Sequence, residues 1–314
     1  MTKYVLSMLA ILLIAGCSYD TEITSAVQER VPVTFELATA PLSITRTTTY
    51  DDNLWSAGMD VSVKCTADGE TSDLNKVKKY VTASNGSGGI KLSGDGVANT
   101  YYWLNRSAAK SFALWYPYSA TMPTSRTVAD NQNAASAADF ASYDLLYAES
   151  SGLTAATSTL ASLTFYHQMS RLTVNVSFDA TVTGETVSGI TMGNNDIYCT
   201  CSTWTPKMAN DDASTNAMEG AEWGSLSDAS TITLRSVSTT EYTCILPPQT
   251  VASTTLLTIT TTGNGTRTYI LNDGITLCAG NHHTINVTIS RTGITFQTTV
   301  NTWNAADYTG TVTF

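Results

Sequence analysis

LTFYHQMSRLTVNV, residues 163–176, carries the pattern that decides the fold. Leu172, Val174 and Val176 alternate with Thr173 and Asn175, and Phe178 keeps the phase. A period of two puts one apolar face on a core and one polar face towards water, as in a half-buried β-strand. The same alternation recurs at Val31, Val33, Phe35 and Leu37, at Ile285, Val287 and Ile289, and at Ile294 and Phe296 on the way to Val300. Further strands are expected at 60–65, 101–104, 111–116, 231–234, 242–246, 256–260 and 268–271. No stretch shows a long helical period. Turn sequences separate the strands: NGSGG at 85–89, SGDG at 93–96, GNND at 193–196, GNG at 263–265 and NDG at 272–274. Many short strands with such turns read as an all-β chain of β-sandwiches with Greek-key wiring. Two polar, alanine-rich stretches, 124–138 and 209–221, read as long surface loops. LTF at 163–165 runs almost directly into RLTVNV at 171–176, so a domain boundary is expected near His167.

The N-terminus points to export. Lys3 precedes the apolar run VLSMLAILLI at 5–14, which is too short to cross a bilayer comfortably and reads as a signal peptide. The run ends in LIAGC, which resembles the bacterial lipobox. That resemblance implies cleavage of a signal peptide 1–16 behind Gly16 and diacylation of Cys17, placing the protein as a surface lipoprotein of the outer membrane. Each buried acyl methylene contributes about 0.8 kcal/mol to such an anchor. The chain has 314 residues, of which 13% are charged, with a net charge of −10. Length allows two ordinary domains. No basic face exists for phosphate, which argues against nucleic acid as a partner.

Chemistry-bearing residues are sparse. After Cys17 come Cys65, Cys199, Cys201, Cys244 and Cys278, an odd number whose spacings form no disulfide framework, so most are expected as small buried residues. Cys199 and Cys201 share a strand face, whereas adjacent His282 and His283 point to opposite faces, and no zinc spacing arises. No metal and no cofactor are expected. Asp51–Asp52 and Asp211–Asp212 read as solvated loop carboxylates. His167 reads as a hydrogen-bonded structural residue. GxSxG, HExxH and Walker-type loops are missing, so the reading is not an enzyme. Trp204 and Trp223, near loops, are candidates for an exposed ligand platform, and with them a surface glycan-binding lipoprotein is the rival reading.

Several segments together resemble the fimbrillin family, the subunits of lipoprotein-derived pili of Bacteroidales. They are TRTTTYDDNLWSAGMDVSV (45–63), ALWYPY (113–118), DLLYA (144–148), LTFYHQMSRLTVNV (163–176), LPPQTV (246–251), AGNHHTINVTI (279–289) and VNTW (300–303). The resemblance implies two tandem transthyretin-like β-sandwiches, here 47–167 and 168–314, behind a lipidated segment 17–46. It implies cleavage by an arginine-specific protease after Arg46, leaving Thr47 first, with Arg30 a rival site. It further implies polymerisation with other pilin subunits by strand exchange, or retention of the lipid in an anchor subunit that is not cut. The residues fit this scheme. Val31, Val33, Phe35 and Leu37 make a removable strand, and Pro32, which cannot donate a ladder bond, suits an edge. The donor is expected from the C-terminus, either Ile294, Phe296 and Val300, or the tail with Val312 and Phe314. A fibre tip would also meet a host or glycan ligand.

Overall fold

The phase read at residues 172–178 becomes the strand Ser170–Phe178, antiparallel to Glu241–Leu246 and parallel to Asn281–Ile289. Leu172, Val174 and Val176 are buried, and so are Ile285, Val287 and Ile289 across the ladder. This computed structural model describes residues 30–37, 55, 57–69, 73–86, 90–155, 162–212, 219–263, 265–271, 274–290, 294–302 and 310–313. At 162, 269, 294–302 and 310–313 it describes the backbone alone. The strands expected from alternation form with ends shifted by a few residues, except that 31–37, expected as one strand, breaks into Val31–Pro32 and Phe35–Leu37 in different sheets. The chain is all-β, and its described residues form sheets of eight, six and five strands and two further two-stranded ladders. Among the described residues no helix is long and apolar enough to cross a membrane.

The eight-stranded sheet runs Ser162–Leu163, Phe35–Leu37, Ile90–Gly94, Val77–Ser84, Asp60–Asp68, Lys110–Tyr116, Leu146–Leu153, Tyr166–His167. Its strand Lys110–Tyr116 and the start of Leu146–Leu153, residues 146–148, are covered on both faces. Phe112, Leu114, Leu146 and Ala148 join one apolar cluster with Val33, Phe35 and Leu37. Ala113, Trp115 and Tyr147 join a second, which Leu172, Val174, Ile190, Met192, Ile245 and Ile259 fill from the six- and five-stranded sheets. A strand buried on both faces reads as a continuous apolar run, and ALWYPY is one. The chain leaves the eight-stranded sheet at His167 and enters the six-stranded sheet at Ser170. Residues Val31–Phe314 make one unit by their mutual contacts.

Three expectations need correction. The 124–138 stretch contains the strand Ser125–Thr127, which pairs with Thr200–Ser202, and the start of the short helix Ala137–Tyr143, capped by the Ser136 hydroxyl. Its Gln132 is fully buried. GNND is not a turn between strands, because Val187–Thr205 runs through it as one strand. Gly193 (φ 94°) and Asn195 (φ 61°) instead shift the register between Met192 and Ile197, a bulge that positive φ makes available. Asp211 is buried rather than solvated: its carboxylate accepts from Gly220 N and Ala279 N, each at 2.8 Å. Burial still pushes its carboxyl upward, while those two bonds oppose the shift. Asp51 and Asp52 lie outside the described residues.

Candidate functional site

The segment 31–37 is the one read from the sequence as a removable strand. Val31–Pro32 pairs antiparallel with Tyr102–Trp103, and Phe35–Leu37 pairs antiparallel with Ile90–Leu92. On its other side Phe35–Leu37 is flanked by Ser162–Leu163, parallel to it. The edge position expected from Pro32 therefore holds for the two-residue ladder but not for Phe35–Leu37, which sits inside the sheet. Val33 and Phe35 are fully buried, Leu37 nearly so, and Val31 partly.

The slot that holds them is lined by aromatic side chains. The Phe35 ring meets Phe112 edge-on at 5.4 Å and tilts against Tyr80 at 6.0 Å. Val33 donates its N–H to Tyr101 O at 2.8 Å, and the Tyr80 hydroxyl donates to Val33 O at 3.1 Å. That hydroxyl also accepts from Tyr101 N at 3.1 Å, so one phenol ties the segment to the slot wall. The Tyr101 hydroxyl meets Val63 O at 3.2 Å and Lys76 O at 2.5 Å. Burial pushes both phenols above their ordinary range, so they stay neutral donors. Fully burying Val, Leu or Phe stabilises by about 1.5–3 kcal/mol each, so the short segment contributes substantially to this cluster.

At the other end, Ile294–Thr302 pairs along its whole length with Asn281–Ile289. Gly310–Thr313 pairs with Gln297–Val300 and forms the edge of the six-stranded sheet. Ile294, Phe296 and Val300 thus belong to a strand flanked on both sides, whereas Val312 belongs to an edge strand. Cys17, Arg46, Thr47 and Phe314 lie outside the described residues.

Trp204 and Trp223, expected to be exposed, are not an open platform. Trp204 is 9% exposed and stacks on Trp223 at 5.8 Å, with Tyr147 edge-on to it at 5.6 Å. Trp223 donates Nε1 to Gln168 O at 3.1 Å. Cross-strand pairing of the two indoles, Trp204 opposite Trp223, explains the burial. His167 is buried, with Nδ1 2.8 Å from Asp144 Oδ2. His282 meets the Thr173 hydroxyl at 2.8 Å, and His283, fully buried, accepts from Cys278 N at 3.0 Å. Burial lowers His283 to about 4. Cys65, Cys199, Cys201, Cys244 and Cys278 are buried free thiols; burial raises Cys65, Cys199 and Cys278 to about 11 and Cys201 to about 12.

Sequence reasoning missed two groups of buried polar residues. One is the pair Lys110 and Asp68, both side chains fully buried. The phase Lys110–Phe112–Leu114 could have flagged it. The other is a set of glutamines, Gln132, Gln168 and Gln249, for which the sequence carries no signal.

Comparison with known proteins places this architecture. The fimbrillin-like family profile matches residues 45–303. A crystal structure from Bacteroides uniformis ATCC 8492, described as a "putative cell adhesion protein", is similar with a TM-score of 0.62. It is 18% identical, with 88% of this chain and 99% of that chain covered. A protein from Bacteroides ovatus ATCC 8483, described in the same words, is similar with a TM-score of 0.56 at 15% identity, covering 81% of this chain and 90% of that one. Among curated proteins none matches. At these identities the two structures speak for the fold, and the profile, which spans most of the sequence from ahead of the first long strand to Trp303, speaks for descent: the chain belongs to the fimbrillin-like family.

Proposed function

We propose that this chain is a structural or adhesive subunit of a cell-surface pilus, exported as a lipoprotein on Cys17 and assembled by strand exchange after cleavage behind Arg46. The observation that carries this reading is the position of Phe35–Leu37: a three-residue strand flanked on both sides, with its apolar side chains buried in an aromatic slot. It is joined to the next described strand by the stretch that contains Arg46. Cutting there would leave segment 31–37 held by short ladders and non-covalent contacts alone. Its departure would expose Tyr80, Tyr101 and Phe112 together with unpaired backbone on Ile90–Leu92, a surface that β-strand addition from a neighbour relieves.

The tail favours itself as the donor over Ile294, Phe296 and Val300. Donating 294–300 would strip a strand from between two others, whereas donating the tail removes an edge. The tail also ends in Val312-Thr313-Phe314, the same tripeptide as Val33-Thr34-Phe35 in the slot. In this reading 47–167 and 168–314 form tandem sandwiches, and the partners are other pilin subunits, an arginine-specific protease and the outer membrane.

The test is limited proteolysis of the purified precursor with trypsin. The expected product begins at Thr47 and forms detergent-resistant ladders, and Arg46→Ala abolishes both. Complete digestion, or a trimmed chain that stays monomeric, counts against assembly by exchange. Recovery of the chain from surface fibres with a lipidated Cys17 at its N-terminus would instead make it the uncut anchor.

A further inference from the structure

Lys110 and Asp68 are direct cross-strand partners on Asp60–Asp68 and Lys110–Tyr116. Lys110 Nζ lies 2.6 Å from Asp68 Oδ1, and both side chains are fully buried. A bulge at Thr66 sets the phase of Asp68, since the register shifts between Cys65 and Ala67, whereas Lys110 keeps the alternating phase of the buried Phe112 and Leu114. Gly69 lets the strands close, since a Cβ there would meet Ala109 O at 3.3 Å. The Trp103 ring covers the amine, with its centroid 5.8 Å from Nζ. The second carboxylate oxygen, Oδ2, accepts from Asp73 N at 2.9 Å. An amine and a carboxyl are thus held at contact, out of solvent, with a backbone donor on the oxygen that would carry negative charge during addition.

We propose that Lys110 and Asp68 condense to an internal amide cross-link. Proton transfer from the ammonium to the carboxylate gives a neutral pair, which a dry interior favours over separated charges. Nζ then bonds to Cγ, the Cγ–Oδ1 bond breaks, and Oδ1 departs as water with two protons that began on Nζ. The amide retains the third. No oxidant, reductant or activated donor is required. Burial favours the product side, because a neutral amide replaces a desolvated amine and carboxylate while the water released is solvated in bulk. The cross-link would join residues 42 apart in sequence across adjacent central strands of the eight-stranded sheet.

Asp68 precedes Gly69, so loss of water has a competing outcome, cyclisation of Asp68 onto the Gly69 nitrogen. Here that nitrogen donates to Ala109 O at 3.1 Å and is engaged in the ladder. Peptide mapping of the full chain, denatured and digested with trypsin, separates the cases. The expected product is peptide 65–76 joined to peptide 107–126, uncut after Lys110 and short of the summed masses by one water. Lys110→Arg removes that branched product. Separate, unmodified peptides with normal cleavage after Lys110 would overturn the proposal. So would a water loss confined to 65–76, the cyclic imide. Because the wild-type chain supplies the deciding measurement, misfolding of the variant leaves the outcome intact.

Discussion

Gln132, Gln168 and Gln249 each turn a side-chain amide into a rung of β-ladder. Gln132 donates to Ile245 O at 2.8 Å and accepts from Ile245 N at 2.9 Å. Gln168 does the same to Lys207, and Gln249 to Tyr198. Each satisfies backbone that a neighbouring strand does not reach, which is why a glutamine can be buried in an apolar setting. Gln132→Leu fills similar volume but orphans the Ile245 amide groups, and it should destabilise by about 1–3 kcal/mol for each group left unpaired. Urea titration would show it as a lower midpoint at unchanged slope. None of this was legible in the sequence, because a glutamine in a polar stretch looks the same whether it faces water or a strand. His283 was placed on a strand face correctly, but its burial came from the packing. Held at about 4 against an ordinary 6.5, it binds its proton more readily when unfolded, so stability should fall as pH drops from about 6.5 towards 4 and level off below. The full effect is about 3 kcal/mol. Thermal melts at stepped pH should give a flatter profile for His283→Gln; an unchanged profile would mean that another group carries the dependence.

Among elements, the strands with one wet face were the legible ones, since alternation is the direct imprint of burial on one side. Asn281–Ile289 alternates without exception. The misreadings came where that imprint is blurred. GNND looks like a hairpin turn because turns and bulges ask for the same positive φ, and only pairing partners distinguish them. Phe35–Leu37 was legible as a strand but not as an interior one, since its parallel neighbour Ser162–Leu163 is two residues long. Two predictions belong at this scale. Phe35→Ala should cost the uncut precursor about 3–5 kcal/mol, the usual loss for a buried phenylalanine. It should leave the stability of assembled, trimmed fibres unchanged, because segment 31–37 is then gone; equal loss in both forms would mean that the segment stays in place after cleavage. Deleting 310–314 should leave the monomer melting temperature nearly unaltered while abolishing ladders after trypsin. Ladders that persist would transfer the donor role to 294–300.

For the molecule as a whole, the strand Lys110–Tyr116 feeds two cores at once, Phe112 and Leu114 on one side, Ala113 and Trp115 on the other. The chain changes sheets between His167 and Ser170, while the packing crosses that point through Trp115 and Tyr147. Sequence patterns report each residue's own burial and say nothing about which cluster receives it. Calorimetry should accordingly give one cooperative transition, and Trp115→Ala, expected to cost about 3–5 kcal/mol, should lower it as a unit. Two resolved endotherms, of which the substitution moves one, would show that the cores melt independently. The neighbours of Phe35–Leu37 add a final constraint. One lies antiparallel and the other parallel, so a replacement must travel the same way along the groove to meet both sets of hydrogen bonds. Each link in a filament built on that groove would inherit one heading, and the filament would grow as an arrow, with an acceptor end and a donor end that are never interchangeable.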